Sequence, residues 1–408
     1  MVAYFQSLLR MPRAVHFYLI SEMVFGLAIG MAVIFNFHYL ALGFDARVIG
    51  IATAVNSVAT AVCSYPAGLF TDRFGAKKAM ALGIGVATLG YIAIPLATTA
   101  LQLYLAQVLL AAGTAFIISC EFPYIMSLCE RKEDETTAFN LLIAAFTLTL
   151  ALGNILATHL PQYMPQGTTM YQSTMFLVAA LFAVMFVMRL FLPAASARIE
   201  QEKRADKAAQ KPSWRVVPSR QVLLYVIYAT LAGTTYAMVV PLENVIMKQR
   251  FDLSDDLVGY VIAANSFLSF LTSLTTPYLM QTAKRRLFLY LGFGMHMVGQ
   301  LLMGLSVPFL AFAPFLLGRG VGSIMVNSFV DSSMMKATQL EERGLHSGLR
   351  NLCRSMAVSG ATAVSGIIIA SGDTQTPYFL AFLLVAIQTV FFTFLIRRQL
   401  REDLQENF

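Results

Sequence analysis

Charge is what this 408-residue chain has least of: Asp, Glu, Lys and Arg together make up 12% of it, against 57% hydrophobic residues and a mean hydropathy of +0.67. A water-soluble fold of this length would lack the polar surface it needs, so the solvent for most of the chain is lipid. Cysteine is also scarce. Cys63, Cys120, Cys129 and Cys353 lie in apolar runs or at their ends, where pairing is neither expected nor needed, and they read as packing residues. The one tryptophan, Trp214, stands in a polar stretch, so no indole platform for a sugar is available. No Gly-x-x-x-x-Gly-Lys-Ser/Thr occurs to bind ATP. No His-Glu-x-x-His occurs either, and His16, His38, His159, His296 and His346 are scattered over different segments, which argues against an intramembrane hydrolase. No cofactor, no metal and no enzymatic activity are expected.

What is present is a series of apolar runs, each of about 20 residues, the length that crosses a hydrocarbon core as a helix. They fall near 15–38, 47–70, 79–99, 101–126, 138–160, 172–193, 221–245, 257–281, 287–306, 308–335, 346–370 and 377–397. Backbone groups in hydrocarbon must bond within their own segment unless a barrel closes, so these spans predict an all-α membrane protein with twelve transmembrane helices.

The net charge of +7 does not point to nucleic acid, because the basic residues sit where membrane orientation demands them. Of the 29 Lys and Arg residues, all but Arg47, Lys248, Arg250 and Arg319 lie at the termini, in the even-numbered connections or in the ends of the runs that adjoin them. By the positive-inside rule both termini are cytoplasmic. Residues 1–13 lead into a span that contains Glu22 and read as an uncleaved anchor, with the plasma (inner) membrane as the expected location. The longest polar stretch, 193–220, is a cytoplasmic linker: either a solvated tether, or a basic helix lying on anionic headgroups. It divides the chain into 1–192 and 221–408.

One junction is particularly informative. After the second run come Gly68, Leu69, Phe70, Thr71, Asp72, Arg73, Phe74, Gly75, Ala76, Lys77 and Lys78, a tight basic turn between two spans. A second signal is internal repetition: Ile49, Gly50, Ala54, Asn56 and Ser57 recur in register as Val258, Gly259, Ala263, Asn265 and Ser266, preceded by Gly43-Phe44-Asp45 and Arg250-Phe251-Asp252 respectively. Gln281 stands where Asp72 would recur, so only one copy of the acidic turn is intact. The turn resembles the loop G-x-L-x-D-R-x-G-R/K-K of the major facilitator superfamily. That resemblance implies two pseudo-symmetric six-helix halves that rock about a site between them, with small-molecule transport as the function. It also suggests that Asp72, with Arg73 beside it, gates the carrier by capping the helix that starts near Leu345. Two antiporter patterns are only partly matched. Gln107, Leu109, Ala111 and Gly113 stand against R-x-L-x-G-x-G, and Gly153-Asn154 against Gly-Pro.

Charged and polar residues inside the spans mark the functional faces, since a charge at mid-bilayer costs about 2.5–3.5 kcal/mol unless it is paired or hydrated. Gln107, Thr114 and Glu121 recur every seven residues, as do Asn140, Thr147 and Asn154, and Glu22 with Asn36. Arg319, Ser323, Asn327 and Asp331 follow at steps of four. Glu22 is a candidate proton carrier. Asn36, Gln107, Thr114, Asn327 and Tyr236 are candidate substrate or ion contacts.

Arg319 reads as an anion contact or a structural partner of Asp331. Glu121, Asp331, Arg350 and Arg354 are placed for a cytoplasmic gate, with Glu121 facing Arg350 or Arg354 across the halves, or else for a network that merely fastens helices. Glu243 is placed for an outer gate. The leading reading is a secondary active transporter of a small, amphipathic organic solute, with proton-coupled efflux as one form. A proton-coupled symporter or uniporter of an organic anion is the alternative, and a non-transporting receptor or scaffold is the third. The partners expected are the solute, protons and membrane lipids, with no nucleic acid and a monomeric chain.

Overall fold

The computed structural model describes residues 11–129, 132–193, 218–280, 285–338 and 343–398. No strand occurs among these residues, and twelve helices are long and apolar enough to cross a membrane. We number these spans 1 to 12: Arg13–Ala41, Ala46–Thr71, Ala76–Leu96, Ala100–Glu121, Leu141–Tyr163, Gln172–Leu190, Arg220–Phe251, Asp255–Thr276, Arg285–Gly304, Phe309–Asp331, Gly348–Ala370 and Thr376–Ile396.

Contacts divide the chain into two compact units. One contains Met1–His38 and Ala59–Trp214; the other contains Tyr39–Val58 and Arg215–Phe408. The main packing partners repeat between them. Span 1 packs on span 5, span 3 on spans 4 and 6; six spans later, span 7 packs on span 11 and span 9 on spans 10 and 12. The duplication visible in residues 49–57 and 258–266 thus extends to which helices touch. The one departure from a division at the linker is the start of span 2, Tyr39–Val58, which groups with the second unit. There a Cβ added to Gly50 would lie 2.9 Å from Gly366 Cα.

Small residues make the close pairs possible, as expected where lipid gives helices no hydrophobic drive to associate. A Cβ on Gly30 would come within 2.2 Å of the Leu150 carbonyl, and one on Gly153 within 2.3 Å of the Leu27 carbonyl, so spans 1 and 5 touch backbone to backbone. Gly153, part of the incomplete antiporter pattern, therefore has a packing reason to be glycine. The same is true of Gly113, where a Cβ would meet Ala87 N at 2.3 Å.

Span 7 runs longer than the expected 221–245, because it is interrupted. Its α-helix Arg220–Val239 gives way to a 3-10 turn, Val240–Leu242, and resumes at Glu243–Phe251. Pro241 has no N–H for the Ala237 carbonyl four residues back. Thr362 Oγ1 of span 11 donates to that carbonyl at 3.3 Å, and Ser365 Oγ donates to the next one, Met238 O, at 2.6 Å. Neighbouring hydroxyls thus satisfy the backbone groups freed by the break.

Candidate functional site

In the first unit, Glu22 of span 1, Glu121 of span 4 and Arg189 of span 6 meet in the interior. Arg189 Nη2 donates to Glu22 Oε2 at 2.6 Å and lies 3.9 Å from Glu121 Oε1. The residues are 1%, 9% and 2% exposed, so water does little to screen them. The guanidinium is fully engaged: Nε donates to Ser21 Oγ at 3.2 Å, Nη1 lies 3.2 Å from Met80 Sδ, and Cζ sits 4.7 Å from the centroid of the Tyr18 ring. Glu121 Oε1 has no hydrogen-bond donor, and both carboxyl groups lie on the same guanidinium. One permanent positive charge therefore faces two carboxyl groups. With both carboxyl groups ionised the cluster carries one net negative charge, and with one proton on them it is neutral.

In the second unit, the break in span 7 sets Glu243 at the start of a new helical segment, where it meets Arg319 of span 10. Arg319 Nη2 donates to Glu243 Oε1 at 2.8 Å and lies 2.9 Å from Oε2. Both residues are buried, and the charges balance one to one. Gly299 of span 9 lets the helix carrying Arg319 approach, since a Cβ there would stand 2.8 Å from Arg319 Cβ. One residue along, Gln300 is fully buried with neither amide atom hydrogen-bonded, and Arg319 Nε and the Tyr378 hydroxyl also lack partners.

A protein-family model described as Major Facilitator Superfamily matches residues 17–362, and a second match covers 226–407. The chain belongs to the Major Facilitator Superfamily. It is accordingly a secondary transporter and not an enzyme. Among curated proteins it is similar to a "Multidrug resistance protein MdtH" of Photorhabdus laumondii subsp. laumondii, 29% identical over 196 residues. That match spans 47% of this chain and 45% of the relative, less than half of its length. Two solved transporters share the fold. The nucleoside transporter NupG superposes with a TM-score of 0.72 at 15% identity, over 94% of this chain and 100% of that one. A bacterial homologue of the iron transporter ferroportin, in an inward-facing state, superposes with a TM-score of 0.73 at 15% identity, over 93% and 98% of the two chains.

Within this superfamily fold the site residues expected from sequence fall into different places. Glu121 and Arg350, expected to face one another, each have a partner within their own unit. Glu121 is engaged within its own unit, because Arg189 supplies a desolvated guanidinium beside it. Arg350 is taken by Asp331 in the second unit through a hydrogen-bonded ion pair. Arg354 is exposed, its side chain running over Gly233 of span 7. The premise that an anionic solute must neutralise Arg319 also falls, since Glu243 does so from the same unit, and with that pair Glu243 is tied to Arg319.

The other expected contacts are spread over several spans. Asn36 and Gln107 are half-buried, Thr114 Oγ1 donates to Leu110 O at 2.9 Å, and Asn327 Nδ2 donates to Ser323 Oγ at 3.3 Å. Tyr236 is 46% exposed, and its hydroxyl is within electrostatic reach of Glu243, Arg319 and Arg354. Arg73 is exposed and lies over the Phe74 ring. The side chain of Asp72, like those of Leu345 and Ser347, lies outside the described residues.

Sequence reasoning missed Arg189, which lies near the end of the sixth apolar run. A signal was available: apolar Leu190, Phe191 and Leu192 follow it, so the charge stands inside the apolar run and not beyond it.

Proposed function

We propose that this transporter exports small amphipathic organic solutes in exchange for protons, with the Glu22 and Glu121 carboxyl groups as the shared proton site and Arg189 as its fixed counter-charge. The observation that carries this reading is the imbalance of the buried cluster, two carboxyl groups against one guanidinium. A carrier coupled to protons needs one group whose charge changes with the transport step. A cluster that is neutral with a proton and anionic without it biases the helices holding it between two arrangements. The partial likeness to a multidrug resistance protein supports efflux, and the basic connections support cytoplasmic termini in the inner membrane. Arg319 with Glu243 is then a fixed neutral pair, and the organic-anion reading loses its main support.

The test uses purified protein in sealed liposomes with an imposed proton gradient and a fluorescent amphiphilic cation. Wild type should concentrate the dye while the gradient lasts. Glu22→Gln and Glu121→Gln should lose concentrative transport yet keep downhill exchange. Undiminished accumulation after the proton gradient is collapsed, or by the double variant, would sink the assignment.

A further inference from the structure

The ion pairs of the second unit leave one arginine over. Arg354 of span 11 is exposed, and among the described residues no hydrogen bond or ion pair reaches it. Asp331 of span 10 lies within its electrostatic reach but is held by Arg350 through a hydrogen-bonded ion pair. Two guanidinium groups thus stand against one carboxylate, the reverse of the count at Glu22, Glu121 and Arg189.

Depth makes that surplus costly. Arg354 is packed on span 7: a Cβ added to Gly233 would lie 2.6 Å from Arg354 Cγ and 3.5 Å from its Nε. By helix rise, Gly233 stands about 20 Å from the Arg220 end of span 7 and about 27 Å from the Phe251 end. A charge this far into a span is tolerated only against a partner or water. Glycine at 233 leaves the room that the Arg354 stem occupies. One turn further along span 7, Tyr236 is 46% exposed, and its hydroxyl lies within electrostatic reach of Arg354. An exposed guanidinium and an exposed phenol therefore share one stretch of the span 7 surface, and among the described residues neither has a hydrogen-bond partner.

We propose that Arg354 and the Tyr236 hydroxyl bind the acidic group of the exported solute, so that the carrier selects amphipathic molecules bearing a carboxylate. This rests on the reading of the chain as an exporter of amphipathic solutes and names which of them it holds best. A guanidinium presents paired N–H donors that fit the two oxygens of a carboxylate. The tyrosine adds a further donor and an apolar ring face. Arg319 cannot take this part, because Glu243 already neutralises it. If Arg354 were only a spare partner for Asp331, it would not distinguish an acid from its ester.

The experiment measures equilibrium binding to the purified full-length protein in neutral detergent by fluorescence polarisation. The probes are rhodamine B, which has a free carboxylate, and its ethyl ester, which has none. No proton gradient is present, so the result does not depend on coupling. Partition of the dyes into detergent is common to all variants, so a change in the acid-to-ester affinity ratio between variants reports the protein alone. That ratio should be about tenfold higher in wild type than in Arg354→Gln, the worth of one charged hydrogen-bonded contact. Tyr236→Phe should lower it by about threefold.

Because Arg354 is exposed, Arg354→Gln should unfold at the wild-type temperature. Arg354→Lys, which keeps the charge and loses the fork, should give an intermediate ratio and decides the matter if the glutamine variant does not fold. A ratio unchanged from wild type in these Arg354 variants would overturn the site. Failure of both dyes to bind would overturn the amphipathic solute class and this inference with it. Loss of proton-driven accumulation in liposomes with the ratio intact would overturn the exchange reading alone.

Discussion

Each half of this transporter buries an arginine against acid, but the two sites differ in their arithmetic. In the first, Arg189 faces Glu22 and Glu121; in the second, Arg319 faces Glu243 alone. Both guanidinium groups are nearly inaccessible to water. The first site has one carboxyl group more than its arginine neutralises. The second is balanced, and any change in it leaves an uncompensated buried charge. Burial and pairing are common to both sites; the surplus carboxyl group is what sets the first apart.

The sharpest way to break that comparison is to remove the shared arginine. Arg189→Leu leaves two acids buried without a counter-charge, and unfolding in a denaturing detergent should show a loss of about 3–5 kcal/mol. Adding Glu22→Gln and Glu121→Gln should restore most of it, because no net charge then remains. No rescue would mean that Arg189 acts through packing on Tyr18 and Met80.

Single carboxamide changes should separate the halves. Glu243→Gln strands Arg319 and should also cost about 3–5 kcal/mol. Glu22→Gln leaves Glu121 to balance Arg189 and should cost only about 1–3 kcal/mol, the worth of one charged hydrogen bond. Equal losses in the two variants would remove the distinction drawn from the surplus carboxyl group.

Packing gives a smaller contrast. Gly30→Ala pushes a methyl group into the Leu150 carbonyl and should lose about 1–3 kcal/mol, whereas Gly294→Ala enters open space and should be neutral. Thermal unfolding of the two variants side by side checks this.

The smallest effect is that of pH on His346, which lies before span 11. Burial, and then the charge of Arg350, lower its pKa, and its Nδ1 lies 2.8 Å from Thr338 Oγ1. A depressed folded value means that the unfolded chain takes the proton first. The neutral ring's contribution is therefore complete above the unfolded value of about 6.5 and declines as pH falls below it. His346→Gln should flatten the loss of stability between about pH 6.5 and pH 5. An unchanged slope would show that the ring's protonation is not linked to folding.

Much of the architecture was legible from residues that act one at a time or by local spacing. Runs long enough to span a bilayer, basic residues at alternate connections, and the repeat of Ile49–Ser57 at Val258–Ser266 determine a twelve-helix membrane protein made of two related halves. Lipid enforces this directly, because each backbone polar group must be bonded inside its own helix and each unpaired charge must be kept out. The identity of Glu22, Glu121, Glu243 and Arg319 as buried charges needing partners followed from the same rule. Which partners they took did not. Arg189 lies 167 residues from Glu22, and Arg319 lies 76 from Glu243. Asp331, the nearer acid in sequence, is about 18 Å up the same helix from Arg319 by helix rise, and it goes to Arg350. Helical periodicity fixes the face a side chain occupies, but not the helix that packs against that face. That choice is made by glycine contacts such as Gly299 on Arg319 and by the break at Pro241 that sets Glu243 at the start of a helical segment. Charge pairing is thus a property of the tertiary fold, decided by which helices can approach closely enough to exclude water between them.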